Sequence, residues 1–208
     1  MIDKIEIDKD VFVYRIKKTL IHSKDAILKK IEQNSTFTTI KQLKKDGSYN
    51  VGTQSPFIIN CNELNEIQYT ANEIAKEIYG CDSFINNTWS FTLDADYKFP
   101  INNQDVAGWH DHKSVYALNN EYYDSNVTFI YYLQLPNNLK NDDGMLSFKL
   151  SGGKIIKMMP EEGEYIFFSS DILHRAELSP DSTIPRIVIA GNIHFAENIK
   201  IKKETSLI

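Results

Sequence analysis

From residue 84 onward the chain is cut into short β-branched and aromatic runs divided by Gly, Pro, Asn and Asp, and that texture leaves it few folds. Runs at 87–93, 127–135, 145–150, 154–158, 164–168 and 186–194 read as strands. Turn signals stand between them, at Pro136-Asn137-Asn138, Asp142-Asp143-Gly144, Gly152-Gly153, Pro160-Glu161-Glu162-Gly163 and Ser179-Pro180-Asp181. Short strands at regular spacing close into a sandwich or a barrel. The expectation is a mainly β fold with flanking helices.

The first half has a different texture. Val11-Phe12-Val13-Tyr14-Arg15-Ile16 is strand-like. Ser23 is placed to cap a helix over 24–33, with Ala26, Ile27, Leu28 and Ile31 apolar. A second helix is predicted over 63–79. Leu64, Ile67, Ala71, Ile74, Ala75 and Ile78 give it an apolar stripe, and Gly80 stands as its C-cap. Between the helices lies a polar stretch, 34–55, with turn signals at Asp46-Gly47-Ser48 and Asn50-Val51-Gly52, read as a loop or a short hairpin. The expected organisation is an N-terminal α/β elaboration over 1–82 packed on a β core over 83–208, one structural domain in all.

Composition bounds the function. A chain of 208 residues that is 42% hydrophobic can bury a full core. It holds no apolar run of about 18 residues, so no membrane span is expected. Met1-Ile2-Asp3-Lys4-Ile5-Glu6 lacks the apolar core of a signal peptide, and a cytoplasmic location follows as the expectation. Cys61 and Cys81 stand far apart without metal-like spacing and read as two unpaired thiols. A net charge of -5 with no basic block argues against a dedicated nucleic-acid surface. Of 23 basic residues only three are arginine: Arg15, Arg175 and Arg186. Where lysine does the solvating, an arginine marks a place for a planar, permanently charged fork.

Three of the five histidines form a pattern. Trp109-His110-Asp111-His112 lies in a turn-rich stretch, and His174 follows Ile166-Phe167-Phe168 and the turn Ser169-Ser170-Asp171. On an extended segment residues i and i+2 share a face, so His110 and His112 can meet at one point while Asp111 points away. A third histidine from a neighbouring strand completes one face of an octahedral ion. Imidazole donors with the opposite face open suit non-haem iron. The plainer reading is a set of surface or hydrogen-bonding histidines. His22 and His194 are left outside the site, and Arg175 is expected to pair with Glu177.

The ordered elements resemble the 2-oxoglutarate/Fe(II)-dependent oxygenase superfamily, in its phage and marine-bacterial type. They are His110-x-His112, Phe129-Ile130-Tyr131-Tyr132-Leu133, Gly144-Met145-Leu146-Ser147-Phe148, Pro160-x-x-Gly163-Glu164-Tyr165-Ile166-Phe167-Phe168, His174 and Pro185-Arg186-Ile187-Val188-Ile189-Ala190-Gly191-Asn192. The resemblance spans roughly residues 83–195. It implies a double-stranded β-helix, a jelly-roll or cupin-like barrel with iron near one open end. It implies Fe(II), 2-oxoglutarate and O2 as reactants, and hydroxylation of a small-molecule or peptide substrate with release of succinate and CO2. It also implies that Arg186 grips the far carboxylate of 2-oxoglutarate, aided by Tyr132 in preference to Tyr131. Thr128 and Asn192 are further inward polar candidates at the cofactor. Two departures stand out. The family's usual triad is His-x-Asp/Glu…His, whereas His112 fills the acidic position here, so the ligands are His110, His112 and His174, with Asp111 as the alternative. Val188 stands where many relatives carry serine, removing a hydrogen bond of about 1 kcal/mol. The rival readings are a three-histidine cupin-like dioxygenase that does not use 2-oxoglutarate, and a non-catalytic metal- or ligand-binding barrel. Trp89, Trp109, Tyr116, Tyr122 and Tyr123 lie near the histidines in sequence, and 113–126 reads as a polar lid or substrate loop with few strand signals.

Overall fold

The computed structural model describes residues 1–34, 38–39, 42–43, 49–50, 53–56, 61–93, 109–113, 115–118, 121–179 and 181–195. In chain order the strands of the first half are β1 (Asp3–Asp8), β2 (Val11–Lys17), β3 (Thr38–Thr39), β4 (Gln42–Leu43), β5 (Tyr49–Asn50) and β6 (Thr53–Pro56), with α1 (Lys24–Asn34) and α2 (Asn62–Tyr79). The second half carries β7 (Ser83–Leu93), β8 (Val115–Leu118), β9 (Glu121–Asp124), β10 (Val127–Gln134), β11 (Leu146–Lys149), β12 (Ile155–Met158), β13 (Glu164–Ser169), β14 (Leu173–Ala176) and β15 (Arg186–Phe195). The fold is mainly β with two helices among the described residues, as the sequence texture predicts.

An eight-stranded antiparallel sheet runs in the order β1-β2-β13-β10-β15-β7-β6-β3. A second sheet, β12-β11-β14, faces it. Alternation along the strands sorts the side chains into two cores. Ile130, Tyr132, Ile166, Phe168, Val188 and Ala190 of the large sheet meet Leu146, Phe148 and Met158 of the small one, forming the barrel interior. Phe129, Tyr131, Tyr165, Phe167, Ile189 and Ile193 point the other way, onto Ile27 and Ile31 of α1 and Leu64, Ile67, Ala71 and Ile74 of α2. Buried on both faces, β10 and β15 read as nearly unbroken apolar runs.

Local signals set the helices. The Ser23 hydroxyl accepts from the Ala26 N–H at 3.3 Å at the start of α1. Gly80, at φ 69°, ends α2 by returning its N–H to the Lys76 carbonyl at 2.9 Å. The stretch between the helices forms nested hairpin arms, β3 on β6 outside β4 on β5, and β6 continues the large sheet beside β7. In the N-terminal segment β1 and β2 extend the large sheet past β13 and send Ile7 and Val13 into the barrel interior. Neither Cys61 nor Cys81 is in a disulfide. Among the described residues no helix is long and apolar enough to cross a membrane. The C-terminal tail, 199–208, lies outside the described residues.

Candidate metal centre

The rim of the barrel is built by one pair of backbone hydrogen bonds. The His110 N–H donates to the His174 carbonyl at 3.1 Å, and the His174 N–H donates back to the His110 carbonyl at 2.9 Å. In antiparallel pairing, residues that exchange both bonds stand opposite each other with side chains on one face. His110 and His174 therefore converge, and His112 follows two residues on. The nearest ligand atoms of His110, His112 and His174 lie within 4.8 Å of one another, and they are the one metal-competent cluster among the described residues. Ring centroids are 4.4 Å apart for His110–His174, 4.8 Å for His112–His174 and 5.2 Å for His110–His112.

His174 sits on β14, a four-residue strand absent from the runs predicted from the sequence. The register places it opposite Phe148, facing inward, in an edge-to-face contact with Phe168 at 4.7 Å between ring centres. Its Nδ1 lies 3.0 Å from the Ile172 carbonyl. A carbonyl can only accept, so Nδ1 carries the proton and Nε2 is left for a metal. Burial holds this imidazole well below the ordinary histidine range, with His110 and His112 adding to the effect. His112 is pushed down to about 3, again chiefly by burial and then by His110, against a hydrogen bond to Asn192. Both are thus neutral near pH 7, the form that binds metal. Asp111, exposed, accepts from the Lys113 N–H at 3.3 Å and stands outside the cluster.

Behind the histidines, the inward face of β15 carries Arg186, Val188, Ala190 and Asn192. The three arginines differ sharply. Arg15 makes a two-bond pair with Glu164, at 2.6 and 2.8 Å. Arg175 pairs with Glu177 at 3.1 Å, as expected, and its guanidinium lies 4.7 Å from the Trp109 ring centre. Arg186 is 4% exposed and has no carboxylate partner among the described residues. One of its Nη atoms donates to the Tyr132 hydroxyl at 3.1 Å, while its Nε is buried with no acceptor. Tyr132 faces the barrel interior and Tyr131 faces the helices. Burial raises the Tyr132 phenol pKa, and because its oxygen accepts from Arg186, its own proton remains to be donated. A buried cation with an unused N–H beside an available O–H is built for an anion.

No family model and no curated protein matches the chain. Solved structures do. The collagen prolyl hydroxylase of Paramecium Bursaria Chlorella virus-1, in its 2OG complex, matches with a TM-score of 0.53 and 14% identity over 88% of this chain and 96% of its own. HygX of Streptomyces hygroscopicus, with nickel and 2-oxoglutarate bound, matches at 0.57 and 7% identity, over 88% and 83%. A Trichoplax adhaerens prolyl hydroxylase, in complex with a hypoxia inducible factor peptide fragment, matches at 0.53 and 19%, over 91% and 86%. The fold is that of the 2-oxoglutarate/Fe(II)-dependent oxygenases.

The Thr128 hydroxyl is engaged by the Ser170 hydroxyl at 3.1 Å. The Asn192 side-chain oxygen lies 3.2 Å from His112 Nδ1. Trp89 packs beside His112, ring centres 5.0 Å apart. His194 is buried and stacks on Phe84. His22 is half-buried, its Nδ1 2.7 Å from a Glu66 carboxylate oxygen, outside the site as expected. The stretch 113–126, read from the sequence as a polar loop, carries the β8–β9 hairpin; the side chains of Tyr116, Tyr122 and Tyr123 lie outside what is described. Sequence reasoning missed Ser170, whose carbonyl accepts the His112 N–H at 2.8 Å. Its place in the turn just before His174 was the available signal.

Proposed function

We propose that this protein is a non-haem Fe(II)- and 2-oxoglutarate-dependent dioxygenase that hydroxylates its substrate and releases succinate and CO2. His110, His112 and His174 hold the iron, and Arg186 with Tyr132 holds the far carboxylate of 2-oxoglutarate. The observation that carries the reading is Arg186. It is a buried guanidinium with an unused Nε–H, on the inward face of the strand that also reaches His112 through Asn192. A dicarboxylate has the charge and the two oxygens such a group lacks.

The donor set fits the metal. Three imidazole donors converging from His110, His112 and His174 suit Fe(II) and would leave room beside it for the co-substrate. When bound, the iron and 2-oxoglutarate supply the oxidising power of the reaction. The chain's own part is placement. The Ile172 carbonyl and Asn192 turn the imidazoles outward from their Nδ1 sides. Phe148 and Phe168, both fully buried, keep water from the barrel floor. Arg186 supplies fixed positive charge at the inner end, and Tyr132 a protonated hydroxyl. Histidine in place of the usual carboxylate raises the charge of the centre by one. The unit spanning 83–208 carries every one of these residues, and 1–82 braces it.

The rival three-histidine dioxygenase would leave Arg186 without an anionic partner among the described residues, and this disfavours it. The test is oxygen uptake by anaerobically Fe(II)-loaded protein on addition of 2-oxoglutarate. Succinate should form in step with oxygen consumed, even without substrate, and His174→Ala should abolish it. Oxygen uptake that needs His174 but is indifferent to Arg186→Ala and to 2-oxoglutarate would overturn the assignment in favour of the rival.

A further inference from the structure

We propose that Asn192 is a positioning residue for the metal ligand His112: its side-chain oxygen fixes the imidazole tautomer that leaves Nε2 to the metal, and it ties the Arg186 strand to the metal centre. This rests on the iron site proposed above and gives Asn192 a role other than contact with the co-substrate.

Asn192 is 3% exposed and faces the barrel interior from β15, on the same strand face as Arg186. Its Oδ1 stands 3.2 Å from His112 Nδ1. An amide oxygen accepts and cannot donate, so the ring nitrogen facing it carries the proton. The rest of His112 is held as firmly. Its N–H donates to the Ser170 carbonyl at 2.8 Å, and its carbonyl accepts from the Ser125 hydroxyl at 2.6 Å. Ser170 is itself anchored on Thr128, the cross-strand neighbour of Asn192. His112 is therefore fixed at its backbone N–H by Ser170, at its carbonyl by Ser125 and at its ring by Asn192 of β15. His174 is oriented by the same device, with the Ile172 carbonyl in the part of Asn192.

The chemistry predicts how substitutions at 192 will sort. Loss of the acceptor frees the ring to take the wrong tautomer or rotate, and losses of this kind cost 10–100-fold in metal affinity. A carboxylate of the same shape keeps the acceptor and adds a negative charge beside a centre of neutral imidazoles, which strengthens the ligand. Size and packing alone predict neither difference.

The experiment is competition for Co(II) against a chromophoric chelator, without 2-oxoglutarate, on wild type, Asn192→Leu and Asn192→Asp. The Co(II) visible spectrum is recorded in parallel. The expected result is affinity weakened about 10–100-fold in Asn192→Leu, and equal to or tighter than wild type in Asn192→Asp. If Asn192→Leu does not fold, Asn192→Ser, too short to reach His112, replaces it. The proposal is overturned if the acceptor-free variant binds Co(II) as wild type does while its Co(II)-loaded form binds 2-oxoglutarate more weakly, since Asn192 would then serve the co-substrate. It is equally overturned if Asn192→Asp weakens Co(II) as much as Asn192→Leu. Failure of wild type to bind Co(II) at all would instead sink the metal site, and is read separately.

Discussion

Replacing Arg186 by methionine should separate ligand binding from folding. In the ligand-free protein the guanidinium is 4% exposed and, among the described residues, is bonded to the Tyr132 hydroxyl alone, with Nε unsatisfied. A buried charge so poorly compensated contributes little to stability, and an apolar residue of similar length is often neutral or better. The variant leaves the Tyr132 hydroxyl to find another partner, at a cost of about 1–3 kcal/mol. The two effects oppose each other, so unliganded stability should stay within about 2 kcal/mol of wild type. Ligand binding should respond very differently. Truncating one partner of a buried, hydrogen-bonded charge pair costs roughly 2–5 kcal/mol, or about 30- to 4,000-fold in affinity. The assay is thermal unfolding of the Ni(II)-loaded protein with and without 2-oxoglutarate, at about 100 times the wild-type Kd. Wild type should gain about 2.7 kcal/mol, a rise of roughly 5–10 °C for a chain of this size. Arg186→Met should gain less than about 1 kcal/mol at the same concentration. A full ligand-induced shift in the variant would refute the reasoning. So would collapse of the unliganded variant, which would make Arg186 a structural residue.

Tyr132→Phe removes both the acceptor for Arg186 and a donor to the ligand, and should weaken 2-oxoglutarate about tenfold by isothermal titration while leaving metal affinity unchanged. Metal-free protein should lose stability on acidification. His112 titrates at about 3 and His174 well below the usual 6.5 when folded, so the unfolded state binds more protons between these limits. Stability is therefore fully present above pH 6.5 and falls below it by at most about 1.4 kcal/mol per pH unit for each group, measurable as a falling urea midpoint. Ile67→Ala, in the fully buried contact of α2 with the sheet, should cost about 2–5 kcal/mol in urea unfolding without altering the stoichiometry of bound metal.

The parts of this molecule written in period and punctuation were legible in the sequence. The α2 stripe ending at Gly80 and the long runs of β10, β13 and β15 appear within a few residues of their predicted bounds. Alternation fixed that only one of Tyr131 and Tyr132 could face inward, and the inward one is Tyr132. What escaped lacked such a signal. β14 is four residues, Leu-His-Arg-Ala, with no β-branched side chain, and it is a strand because β11 and His110 offer it partners. β1 alternates charge with isoleucine and looks like a solvated tail until β2 pairs with it. The histidine cluster was readable as residue types, but its convergence depends on the reciprocal His110–His174 backbone bonds, a contact across 64 positions that no local pattern encodes. The contact between Asn192 and His112 is hidden for the same reason, although strand alternation from Arg186 already put Asn192 on the inward face.

The central claim is that three histidines and Arg186 assemble a single site for iron and 2-oxoglutarate. Anaerobic titration of the protein with Fe(II) and 2-oxoglutarate, followed in the visible region, tests it directly. A weak charge-transfer band is expected that saturates at one iron and one 2-oxoglutarate per chain, is absent with either reactant alone, and is lost in His174→Ala. No band with both reactants at saturation would contradict it.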